Sequence, residues 1–161
     1  MVCSLNTRGS QIKKGCRAMG DMLFGEYAHN IDDKGRLIIP SKFREILGEG
    51  FVITKGLDHC LFVFSQKEWM NFHHKLGALP ISDKDARVFS RFFFSGAAEC
   101  VLDRQGRITI PAPLRKYAQL DKETRIIGVA NRLEIWNAAS WDRYADIDAA
   151  EIEDKMAELG I

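Results

Sequence analysis

Two short stretches of the chain carry the same alternation of polar and apolar positions. Residues 32–40 read DDKGRLIIP and residues 103–111 read DRQGRITIP, with Asp, Gly, Arg and Pro in register 71 positions apart. In each, a polar turn leads into a short strand. Leu37 and Ile39 fall on one face, as do Ile108 and Ile110, which predicts that Arg36 and Arg107 point away from the apolar side. Asp32 and Asp103 can accept from the backbone two residues on, and Gly35 and Gly106 tolerate the positive φ of a tight turn. A strand over 27–31, the turn and the strand from Arg36 are expected to form a hairpin.

Pro40 and Pro111 end these strands and suit the first turn of a helix, where a missing N–H is harmless. Helical spacing then predicts burial of Phe43, Ile46 and Leu47 in the first copy and of Leu114, Tyr117 and Ala118 in the second. Further on, VITKGLDHCLFVF and IIGVANRLEIW each read as two apolar strands around a polar turn. Each leads to a helix start, at Ser65 or Asn137, and Trp69 and Trp141 follow four residues later. Ser65 with Glu68 fits a capping box for a helix over about 66–74, and Ser82 with Asp85 is a weaker version. The helix after Ser82 carries Val88, Phe89, Phe92 and Phe93 on an apolar stripe, read as a structural and intersubunit packing face.

These elements give a β-rich α+β chain of two pseudo-symmetric units, at 26–68 and 97–140. A helical linker over 69–96 joins them, and 141–161 forms an acidic helix or tail. Residues 1–21 read as a disordered or misassigned extension, because the pattern of folded protein begins with MLFGEYAHNID from Met22. A unit of about 45 residues buries too little to be stable alone, so the two copies are expected to complete each other.

With 161 residues, 46% hydrophobic and 28% charged, the chain has the composition of a soluble globular protein. No apolar run approaches the ~18 residues of a membrane-spanning helix, and the first residues lack the apolar core of a secretory signal. Cys3, Cys16, Cys60 and Cys100 are too scattered for a disulfide framework or paired zinc ligands, so reduced thiols in a cytoplasm are expected. Lys and Arg number 23 against 22 Asp and Glu, and the acids concentrate after Trp141. Nucleic-acid binding therefore has to come from local clustering of charge, or from a modest patch repeated in an oligomer.

Two chemistries find little support. An acid–base dyad of Asp32 and Asp103 would sit beside arginines, which lower a carboxyl pKa. A metal site built from His59, Cys60, His73 and His74 suffers because neighbours on a strand point in opposite directions. No catalytic residue, metal, cofactor or small-molecule substrate is expected.

Asp-x-x-Gly-Arg followed by an apolar strand and a proline, present twice with a helical linker, resembles the MraZ family. FGEY near the start and SGAAEC before the second motif agree with it. The resemblance covers residues 22–161 and implies two swapped-hairpin units of the AbrB type. It implies a bacterial transcriptional regulator of the division and cell-wall gene cluster, cytoplasmic and nucleoid-associated. The partners implied are double-stranded DNA, bound at repeated promoter elements, and other copies of itself in a ring of eight or a similar number.

Carried over from that motif, Arg36 and Arg107 are the expected DNA-reading residues. A guanidinium can pair bidentately with a guanine edge or clamp a phosphate. Asp32 and Asp103 are assigned to holding the turn and orienting the arginine, and Lys34 and Arg104 at the turn tips to phosphate contacts. A surface Asp–Arg pair is worth only ~0–1 kcal/mol, so stability alone is a poor reason to find it in both copies. Lys42, Arg44, Arg115 and Lys116 are expected on solvated helix faces or oligomer contacts. The competing reading is an antitoxin-like or scaffold interaction module that uses the acidic tail, with Ile147, Ile152, Met156 and Leu159 among its charges.

Overall fold

The computed structural model describes residues 19–161, so nearly all of the expected 1–21 extension lies outside the described residues. After a 3-10 turn at Met19–Asp21, the first copy comprises β1 (Leu23–Asn30), β2 (Arg36–Ile38), α1 (Ser41–Leu47), β3 (Gly50–Lys55), β4 (Leu61–Ser65) and α2 (Gln66–Gly77). Helix α3 (Lys84–Ser95) follows. The second copy comprises β5 (Ala98–Val101), β6 (Arg107–Thr109), α4 (Ala112–Tyr117), β7 (Glu123–Ala130), β8 (Leu133–Asn137) and α5 (Ala138–Ala145), and α6 (Ala149–Leu159) ends the chain.

Six strands form one antiparallel sheet in the order β1-β7-β8-β4-β3-β5, and β2 and β6 form a separate two-stranded ribbon. The order reads the same from both ends once each strand is exchanged for its counterpart in the other copy. The β3–β4 and β7–β8 hairpins form as the sequence predicts. The hairpin expected between the strand at 27–31 and the strand at Arg36 does not. The first strand starts earlier, at Leu23, and pairs with β7 from Leu23↔Ala130 to Asn30↔Glu123. Strand β2 pairs instead with β6, and β5 pairs with β3.

Burial explains this exchange. A three-residue strand buries little by itself, but β2 and β6 together direct Leu37, Ile39, Ile108 and Ile110 into a single core, all at 1% exposure or less. That core also takes Phe43 and Leu47 from α1, Leu114 from α4, and Ile53, Leu61, Val63, Ile126, Leu133 and Ile135 from the sheet. Both copies thus share one interior, and both edges of each long hairpin are paired by the other copy: β3 by β5, β7 by β1, and β4 and β8 by each other.

The sheet's other face buries a second, aromatic cluster. In β4, Leu61 and Val63 belong to the first core, whereas Phe62 and Phe64 meet Trp69, Phe72, Phe93, Trp136 and Trp141 beneath the longer helices. Ser65 Oγ accepts from the Glu68 N–H at 3.2 Å and caps α2, which runs past the expected end at 74 to Gly77. Asn137 caps α5 in the same way. The cap of α3 is Asp83, not Ser82: its Oδ1 accepts from Asp85 and Ala86 N–H at 2.8 and 3.2 Å. Of the stripe expected on α3, Phe93 is buried and Phe92 half-buried, whereas Val88 and Phe89 remain about half exposed.

Candidate nucleic-acid interface

Each motif turn is built around one aspartate. Asp32 Oδ1 accepts from the backbone N–H of Lys34 and Arg36 at 3.0 and 2.9 Å, and Gly35 N–H donates to the Asp32 carbonyl. The second turn repeats this with Asp103 Oδ1, which accepts from Gln105 and Arg107 N–H, each at 2.9 Å. Gly35 and Gly106 both have φ +76, a conformation that a side chain disfavours. The turns are thus held from within, and the arginine after each glycine leaves at a fixed angle.

The second carboxylate oxygen holds the guanidinium. Arg36 Nε donates to Asp32 Oδ2 at 2.6 Å and Arg107 Nε to Asp103 Oδ2 at 2.8 Å. Because the aspartate takes only Nε, both terminal nitrogens stay free of protein hydrogen bonds among the described residues. That leaves on each arginine the edge that forms two parallel bonds to guanine or phosphate. The side chains of Arg36 and Arg107 are 32% and 24% exposed, enough to reach a partner while remaining supported.

Backbone N–H groups and the arginine hydrogen bond hold the Asp32 carboxyl below the ordinary aspartate pKa, against a smaller opposing effect of desolvation, and Asp103 behaves identically. Two carboxylates sharing a proton would need one raised value.

The ribbon unites the two turns. Its register pairs Arg36 with Thr109, Leu37 with Ile108 and Ile38 with Arg107. Ile39 N–H donates to the Gly106 carbonyl and Ile110 N–H to that of Gly35, so each strand runs on to the other copy's turn. The outer face therefore carries Arg36, Ile38, Arg107 and Thr109, while Leu37 and Ile108 face the core. Lys34 and Arg104 are both exposed, but at different turn positions: the counterpart of Lys34 is Gln105, and that of Arg104 is Asp33.

Sequence reading missed the support beneath the turns. Arg44 and Arg115, expected at solvated faces or oligomer contacts, each lie against the glycine of the opposite copy's turn. The Arg115 guanidinium carbon is 2.7 Å from the point where a Cβ on Gly35 would stand, and the Arg44 guanidinium meets Gly106 in the same manner. Arg115 Nε donates to the Ile110 carbonyl at 3.0 Å, whereas Arg44 Nε is buried without a hydrogen-bond partner among the described residues. The available signal was the repeat itself, since Gly35 and Arg44 share the spacing of Gly106 and Arg115.

Elsewhere, Cys60 and Cys100 are buried and, among the described residues, unpaired, and burial raises both thiols, Cys100 to about 11. Among the described residues no cluster of His, Cys, Asp and Glu is suited to a metal ion, and no helix is long and apolar enough to cross a membrane.

The geometry defines a class: a duplicated α+β chain in which a two-stranded ribbon, shared by both copies, displays two aspartate-held arginines. A family model described as "MraZ protein, putative antitoxin-like" matches the chain twice, at residues 22–92 and 93–159. The chain belongs to the MraZ family. It is 56% identical over 143 residues to the transcriptional regulator MraZ of Acetivibrio thermocellus, a match covering 87% of this chain and all of that protein. It is 58% identical to the protein of the same name from Alkaliphilus oremlandii, with the same coverage. The Desulforamulus reducens protein of that name is 59% identical over 141 residues, covering 86% of this chain and 99% of its own.

Proposed function

We propose that the chain is a transcription regulator that binds double-stranded DNA through the β2–β6 ribbon. The observation that carries this reading is the paired clamp: in both turns Asp engages Nε and leaves the terminal nitrogens of Arg36 and Arg107 to an external partner. A two-stranded ribbon fits the major groove, and arginine is the side chain best matched to a guanine edge. Lys34 and Arg104 then take phosphates, which position the ribbon without specifying sequence. The relatives' name supports a regulatory role. The exchange of β1, β2, β5 and β6 between copies supports swapped-hairpin units of the AbrB type.

The target in this reading is a set of repeated elements upstream of division and cell-wall genes, bound by a ring of copies in the cytoplasm at the nucleoid. One ribbon offers few contacts, and tethering several copies on matching repeats raises affinity by ~100-fold or more. Two unpartnered surfaces support self-association. Every residue of α6 is exposed, and Ile152, Met156 and Leu159 form an apolar stripe flanked by Glu151, Glu153, Asp154 and Glu158. A groove of about 340 Å³ between α2 and α3 is lined by Leu76, Leu79, Ile81 and Ala86 with Arg87 and Arg91, and by no carboxylate. The acidic flanks of α6 and the two arginines of the groove are opposite in charge, which favours α6 of one copy against this groove on the next.

Electrophoretic mobility shifts with DNA from upstream of its own gene test the DNA reading. Wild-type binding that weakens in Arg36→Ala and in Arg107→Ala, with assembly intact, is the expected result; unchanged affinity at fixed salt sinks it. The antitoxin-like alternative also draws on the exposed α6. A chain lacking residues 147–161 that keeps both its oligomeric mass and its DNA affinity favours that alternative.

A further inference from the structure

Building on the DNA-binding reading, we infer that Ile38 reads sequence, by apolar contact with a thymine methyl group, and that it gives the ribbon a direction. Exchange of the copies maps Arg36 onto Arg107, so the two arginines lie on one diagonal of the ribbon's outer face. Ile38 and Thr109 occupy the other diagonal, Ile38 beside Arg107 and Thr109 beside Arg36. Here the symmetry fails, with a branched hydrocarbon at one corner and a hydroxyl at the other.

Ile38 is 42% exposed on a face otherwise built from arginines and a threonine, while its neighbours Leu37 and Ile39 are fully buried. It belongs to neither hydrophobic cluster, so packing in the interior does not explain its presence. In the major groove the thymine methyl is the one apolar group on a base edge, and an alkyl side chain held beside a guanine-reading arginine is placed to meet it. Threonine at the opposite corner offers a hydroxyl that bonds either kind of base edge beside a single methyl, so its apolar reach is shorter than that of the isoleucine ethyl arm.

The turn tips break the symmetry too. Asp33 and Lys34 cancel in charge, whereas Arg104 and Gln105 leave a net positive charge on the second turn. A symmetric ribbon would read the same sequence in either direction along the duplex. This one does not, so its preferred site is asymmetric and fixes which way each copy lies on the DNA.

The test uses duplexes selected by the full-length protein from a random pool, resynthesised with deoxyuridine replacing thymine one position at a time, which removes only the 5-methyl group. Wild type should lose roughly fourfold in affinity at one position, the worth of one buried methyl-sized group. Ile38→Ala should bind the thymine duplex correspondingly less well and be indifferent to uridine there. In the double variant with Ile38→Thr and Thr109→Ile, the methyl-sensitive position should move to the other side of the arginine contacts. Affinity that ignores uridine at every position, or a penalty that persists in Ile38→Ala, overturns the assignment while leaving DNA binding intact. Failure to select any duplex overturns the DNA-binding reading together with it.

Discussion

Arg115 of the second copy lies flat against Gly35 of the first, with its guanidinium carbon 2.7 Å from where a Cβ would stand, and Arg44 meets Gly106 reciprocally. Each motif turn is therefore shaped twice: from within by its aspartate, and from beneath by an arginine of the other copy. The glycines serve both positive φ and this close approach.

Gly35→Ala should destabilise the fold by ~1–2 kcal/mol from the left-handed backbone alone, with an added cost for displacing Arg115. Arg115→Met isolates the second effect, since it removes the guanidinium that stands where a Cβ on Gly35 would lie. In urea unfolding, Gly35→Ala should cost less in the Arg115→Met chain than in the wild-type chain. Equal costs mean that the arginine moves aside freely.

The two supporting arginines should not be equivalent. Arg115 Nε donates to the Ile110 carbonyl, while Arg44 Nε is buried without a hydrogen-bond partner among the described residues. Arg115→Met should therefore cost about 1 kcal/mol more than Arg44→Met, the net worth of one hydrogen bond. Thermal unfolding of the two variants checks the order.

In DNA binding, Arg36→Ala or Arg107→Ala should cost about 1–3 kcal/mol and relax preference at the bases read, whereas Lys34→Ala or Arg104→Ala should weaken all sequences alike. Titrations across salt separate the two kinds. Each phosphate-contact variant should reduce the slope of log affinity against log salt by about one. A slope unchanged in Lys34→Ala and Arg104→Ala removes them from the interface.

Acid should loosen the turns late. The carboxyls of Asp32 and Asp103 lie below their unfolded value, chiefly because backbone N–H groups bond the charged form. Their contribution to stability is complete above the ordinary aspartate pKa of about 3.9 and is lost as pH falls through the lower folded values. Carboxyl chemical-shift titration by NMR should place both midpoints below the ordinary aspartate value of about 3.9. A midpoint at or above it shows that the backbone bonds do not favour the ionised form.

If α6 fills the α2–α3 groove of another copy, Arg91→Glu and removal of residues 147–161 should each lower the mass found by light scattering. Tail charge reversal at Glu151 and Glu158 should partly restore assembly in the Arg91→Glu chain. Masses unchanged in both variants place the contact between copies elsewhere.

Much of this architecture is legible in the sequence because its signals are local. Alternation at Leu37 and Ile39 says which side is buried, Ser65 and Asn137 announce their helices, and Asp32 with Gly35 specifies a turn. Partner choice is different. Alternation names the buried face of β2 but not the strand beside it, and the expected local hairpin lost to pairing with β6 because that pairing buries four aliphatic side chains in one core. The cap at Asp83 escaped because adjacent Ser82 offers the same chemistry one position earlier. At the candidate interface, the aspartates, glycines and reading arginines stand out through repetition. Arg44 and Arg115 did not, because a charged residue on a short helix reads as solvated until the opposite turn is seen against it.

The mirror-ordered sheet bears on how such a chain can be divided. Cutting the connection between α2 and α3 breaks one covalent bond but no strand pairing, since β1 still lies along β7 and β5 along β3. The fragments should stay clasped after proteolysis and part only when the whole interior melts, so that each half behaves as the other's folding template.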